Sequence, residues 1–149
     1  MRLLRKIWKQ IMKMPREHIL NGNEGIYSPQ VLFVAAEMGN IEFLVEIISQ
    51  CPDLIWTTNA NNNQTIFHVA VSHRHERIYN LLHEMGSMKD LITIHEDKEG
   101  NNMLHLAGMT PKNTNGLHHV RGDIFKMHWE LLWFKVIKSL TLRSVDIYI

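Results

Sequence analysis

One cysteine, Cys51, stands in the 149 residues, so neither a disulfide within the chain nor a cysteine metal cluster is available. A reducing, cytoplasmic setting is the natural expectation. No apolar run approaches the roughly 18 residues needed to cross a bilayer, and the basic N-terminus has no continuous apolar core of the secretory kind. The net charge of +1 gives no global pull toward nucleic acid or acidic partners. The ten histidines include no His-x-x-x-His. His73 and His75 are two apart and His118-His119 are adjacent, and neither spacing sets two ligands on one helical face. Cys51 has no histidine poised beside it, and there is no phosphate loop, no Gly-x-Ser-x-Gly and no evident carboxylate pair. No catalytic residue, metal or cofactor is therefore expected; the chain reads as a non-enzyme.

What is present is repetition. Asp97-Lys98-Glu99-Gly100-Asn101-Asn102 is a polar turn that gives way at once to Met103-Leu104-His105-Leu106-Ala107. Thr65-Ile66-Phe67-His68-Val69-Ala70 carries its histidine 37 positions earlier, and Gln30-Val31-Leu32-Phe33-Val34-Ala35 precedes that by 35, alanine to alanine. Three copies spaced about 33 residues or slightly more, each a turn followed by a short apolar helix, fit ankyrin-type units. The expected fold is all-α: a helical solenoid of about three such repeats with short turn or hairpin tips, behind an N-terminal amphipathic helix. Boundaries fall at 1–24 for the leading helix and loop, at 25–140 for the repeats (28–58, 61–94 and 97–140), and at 141–149 for a divergent tail.

Along residues 2–14, Leu3, Leu4, Ile7, Trp8, Ile11 and Met12 recur at helical steps opposite Arg2, Arg5, Lys6, Lys9 and Lys13. Such a helix covers the first repeat or, in the sharper reading, touches anionic lipid or a calmodulin-like partner. Asn21–Gly25 is a loop by composition. In the first repeat Gly39 supplies the left-handed turn between helices, and Cys51-Pro52-Asp53 ends the pair. In the second, helices are predicted over Thr65–His73 and His75–Glu84, with Gly86 behind them. Asn63 aligns with Gly100, and asparagine tolerates a left-handed backbone better than most residues. Arg74 occupies the place of Gly39, at a cost of about 1 kcal/mol if that backbone is left-handed. In the third, Gly108–Gly116 is too rich in turn formers to continue a helix. A last helix is predicted from about Asp123 to Leu140, with one stripe of Phe125, Trp129, Leu132, Val136 and Leu140 and another of Met127, Leu131 and Phe134. Apolar residues on more than one side call for cover on more than one side.

Four phrases carry a closer likeness: Leu32–Asn40, Cys51–Trp56, Phe67–Val71 and Asp97–Ala107, joined by Met127-His128-Trp129-Glu130-Leu131-Leu132-Trp133-Phe134-Lys135. Over residues 25–138 the chain resembles the plant ankyrin-repeat proteins with a C-terminal PGG domain, the accelerated-cell-death and salt-tolerance group. His128-Trp129 stands where that family has Gln-Arg. Beyond Lys138 the family continues through another repeat into the PGG region and its membrane helices, whereas Ser139–Ile149 departs from it. The resemblance implies a truncated member and a setting in plant stress or defence signalling.

The function that follows is protein–protein interaction, with contacts from the tips Asn61, Asn62, Asn63, Lys98, Glu99 and Gly100 and from the inner helices beside them. The partner's identity is not written in the sequence. His68 and His105 are read as structural, each bonding the start of its own or the next repeat. The alternative function is a peripheral membrane protein held through residues 2–14. Self-association through the 123–140 helix is expected where Trp129, Trp133 or Phe134 is left uncovered. Nucleic-acid binding is not expected, because the positive charge is concentrated away from those aromatics.

Overall fold

Helices supply the regular structure of the residues that the computed structural model describes, 30–110 and 123–145; among them there is no strand, only an isolated antiparallel bridge between Thr58 and Thr65. The fold class is all-α. The expected leading helix over 2–14, the loop Asn21–Gly25, most of the insertion after Gly108, and His118 and His119 lie outside the described residues. No described helix is long and apolar enough to cross a membrane.

The first helix pair is α1 (Gln30–Glu37) and α2 (Ile41–Gln50). α1 buries Leu32, Phe33, Ala35 and Ala36, one face of a two-turn helix. The chain reverses at Gly39, φ +71°, where a side chain would be disfavoured twice. The backbone is left-handed, and an added Cβ would lie 2.7 Å from Nδ1 of His75. Asn40 then caps α2, its side-chain oxygen accepting from the Phe43 amide at 3.2 Å. Pro52 cannot extend α2 and opens a 3-10 turn, Pro52–Trp56, that tucks Leu54 and Ile55 into the core.

The second pair begins behind a polar tip. Thr65 caps α3 (Ile66–Ser72), and every residue of that helix is buried. Fully buried, Ile66, Phe67 and Val71 each contribute roughly 1.5–3 kcal/mol of apolar burial. Arg74 is left-handed at φ +61°, as Gly39 is. The outer helix expected over His75–Glu84 is divided into α4 (Glu76–Tyr79) and α5 (Leu81–Glu84). The cause is a tightened turn at Asn80, where bonds of three-residue span such as His83 N–H to the Asn80 carbonyl interrupt the four-residue ladder. After Gly86, φ +60°, the connection forms a helix the sequence reading did not anticipate, α6 (Met88–Thr93), burying Ile92 and Thr93.

The third pair is α7 (Met103–Gly108) and α8 (Asp123–Val145). Asn102 caps α7 in a reciprocal box: its Oδ1 accepts from the Leu104 and His105 amides, while its own amide donates to His105 Nδ1 at 3.2 Å. The inner helices pack in series, α1 on α3 and α3 on α7, with α8 laid against α7 and α6. Leu32 and Phe67 are sealed within that row; Leu104, at its end, is half-buried.

α8 corrects two expectations. It runs on to Val145 rather than ending near Leu140. Its buried face also avoids most of the two apolar stripes: Ile137 and Thr141 are buried and Glu130, Trp133 and Phe134 partly so, while Phe125, Met127, Trp129, Leu131, Leu132 and Val136 are exposed. A helix apolar on several sides has no single stripe to decide which side meets the core. Here the side that carries Glu130 was selected.

Candidate interaction surface and the seam behind it

The second tip is a six-residue excursion between the bridged threonines. Asn59 N–H donates to the Gln64 carbonyl at 2.9 Å, and Asn63 N–H to the Asn59 carbonyl at 2.7 Å. Asn63 sits at φ +59° and Gly100, in the matching place of the third tip, at φ +76°. No atom would meet a Cβ at Gly100 within 4 Å, so there the requirement is conformational alone.

The structure brings the six expected tip residues together, because the tips are tied to each other. Lys98 N–H donates to the Asn62 carbonyl at 3.0 Å, and its ammonium donates to the Ala60 carbonyl at 2.7 Å. Asn63 Nδ2 donates to the Glu96 carbonyl at 3.1 Å; in return His95 Nε2 donates to the Asn63 carbonyl at 2.9 Å. Asn62 is also occupied, bonding Gln64 through both ends of its amide. Three of the six thus spend their polar groups on the fold. Asn61 and Glu99 keep exposed side chains, Glu99 accepting only from the neighbouring Asn101 amide at 3.3 Å.

Beneath the tips lies a polar pair that sequence reasoning missed. Gln64 Nε2 donates to Asp97 Oδ2 at 2.9 Å, both residues buried. Burial alone would raise the Asp97 pKa. The Gln64 amide and the backbone N–H groups of Asn101 and Glu99 together outweigh it and hold the carboxyl below its ordinary value. The two residues are 33 apart in sequence, and no local pattern announces such a pair.

His68 closes the same seam. Its Nε2 faces the His95 carbonyl at 3.0 Å and must donate; its Nδ1, 2.8 Å from Thr65 Oγ1, therefore accepts. That fixes one neutral tautomer. The imidazole is fully buried, with the His95 ring edge-on at 5.4 Å. Burial pushes its pKa down to about 4; the bond to the His95 carbonyl opposes this, and the nearby His95 ring (lowering) and Asp97 (raising) add less. His105 holds the equivalent place in α7 and caps its own helix, but it is exposed. His73 and His75 stack at 6.1 Å, each with a nitrogen on a backbone carbonyl, of Val69 and Glu37 respectively. No group of three metal-ligating side chains occurs among the described residues.

Arg74 is the second residue whose importance exceeds its sequence signal. Its guanidinium donates to the carbonyls of Val71, Ala107 and Met109 and meets Glu130 of α8 at 2.7 Å. It also lies 5.9 Å over the Trp133 ring. These bonds, reaching both helices of the third pair, offset the strain of a left-handed arginine. Beside it, the Tyr79 hydroxyl and the Trp133 indole N–H are buried without partners among the described residues, their rings 5.8 Å apart.

Comparison of the chain with family models, curated proteins and solved structures gives no match.

Proposed function

We propose that the chain is a non-catalytic protein–protein interaction module built as an ankyrin-type solenoid, with its tips and inner helices as the contact surface. One observation carries the reading. Bonds joining successive helix pairs recur at separations of 32 to 38 residues: Gln64 to Asp97, Asn63 to His95 and Glu96, His75 to Glu37, Arg74 to Ala107. That spacing is one repeat of the ankyrin kind, and left-handed residues fall at matching points of it, Gly39 with Arg74 and Asn63 with Gly100. A quasi-one-dimensional stack of this type offers an extended surface rather than a reaction pocket. The likeness to plant PGG-domain ankyrin proteins supplies the setting, stress or defence signalling.

Asn61 and Glu99 are the tip side chains left for a partner. The full chain and its Asn61→Lys/Glu99→Lys variant, used as paired baits in plant extract, test the reading. Partners retained by the first and lost by the second support it; identical catches from both would refute it.

A further inference from the structure

The outer face of α8 is a second, separate surface. Phe125, Trp129, Leu132 and Val136 follow one another at steps of four, three and four, and all are at least 39 % exposed. That is the spacing of a coiled-coil seam, with Phe125 and Leu132 at d and Trp129 and Val136 at a. In this register Lys126 falls at e, and His128 and Lys135 fall at g, all exposed. Lys138 is exposed as well, and the carboxylate of Glu130 is already held by Arg74. The described charges that flank the stripe are therefore of one sign.

Charge decides between occupants. A second copy pairing α8 with α8 would bring no carboxylate to e or g, so Lys126 and Lys135 would meet no opposite charge there. This chain's own leading stretch is basic too, with Arg2, Arg5, Lys6, Lys9 and Lys13. We infer that the outer face of α8 docks an amphipathic helix of another protein that has apolar residues at a and d and carboxylates at e and g. Such a partner would cover Trp129 and Leu132 and set its acids against Lys126 and Lys135. This surface does not depend on the reading of the tips.

The test uses the full chain and two labelled synthetic peptides, each three heptads of Leu at a and d, one with Glu and one with Lys at e and g. Fluorescence anisotropy should show the Glu peptide bound roughly tenfold or more tightly than the Lys peptide, with affinity falling as salt rises. Trp129→Ala/Leu132→Ala should weaken the Glu peptide by about tenfold or more, and Lys126→Glu/Lys135→Glu should reverse the preference. All four positions are exposed, and an unchanged far-ultraviolet dichroism spectrum confirms that each variant folds. Equal binding of the two peptides, or of neither, overturns the inference. So does concentration-dependent self-association of the chain that Trp129→Ala/Leu132→Ala abolishes, or binding to phosphatidylserine vesicles without binding of the Glu peptide.

Discussion

His68 and His105 open the same motif and meet opposite fates. His68 is sealed between two helix pairs with both ring nitrogens engaged; His105 caps its own helix and faces outward. Around the first, Gln64, Asp97, Asn63, His95 and Arg74 bond across the seam. Around the second, Leu104 is half-covered and α8 turns Trp129 outward. The same local sequence thus gives a joint where a neighbour is in place and a surface where none is described. In a stack, position decides whether a residue is structural or available.

The largest expected effect lies at Arg74, where the sealed side is fastened. Arg74→Ala leaves Glu130 part-buried without its partner and unbinds the Ala107 and Met109 carbonyls, and should cost roughly 3–4 kcal/mol in urea unfolding. Arg74→Gly should be about 1 kcal/mol less damaging, since it relieves the left-handed strain while losing the same bonds. Equal costs for the two would show that the strain estimate at this turn is wrong.

Acid should loosen the seam next. The His68 pKa is lowered from 6.5 to about 4 in the folded chain, so between those values the unfolded chain binds the proton and the folded one does not. Stability from this residue is complete above about pH 6.5 and is lost as pH falls, by about 3 kcal/mol at pH 4. Urea midpoints across that window, compared with His68→Gln, isolate the contribution; parallel profiles would remove His68 from the account.

Glycines sharpen the contrast at smaller magnitude. Gly39→Ala adds a contact with the His75 ring to a left-handed backbone and should cost about 2–3 kcal/mol; Gly100→Ala, with open space around it, should cost about 1. Equal losses would show that the His75 contact does not matter. Smallest is His105→Ala, which removes half of a capping box and should cost about 0.5–1 kcal/mol. A loss approaching that of Arg74→Ala would mean that the exposed end is not open.

Much of this was legible in residues. Asn and Gly before Phe-His-Val-Ala and Leu-His-Leu-Ala marked the tips and the helix starts, because turn chemistry and apolar runs are local signals. The left-handed backbone at Asn63 and Arg74 was readable from their alignment with Gly100 and Gly39. The tip residues were named together, but which of them are free was not readable, since Lys98 and Asn63 are occupied by carbonyls 33 to 38 residues away. The pair Gln64–Asp97 was hidden for the same reason. α6 was missed because Met88–Thr93 gains its cover from α8, far along the chain. Which side of α8 meets the core was not readable, since Glu130 on that side is held by Arg74, 56 residues earlier in the chain.

The most direct test of the sealed seam is a nitrogen-15 NMR titration of the His68 ring. The ring should be neutral, protonated at Nε2, and keep this tautomer down to about pH 4. A ring that titrates near pH 6.5, or that carries its proton on Nδ1, would contradict it.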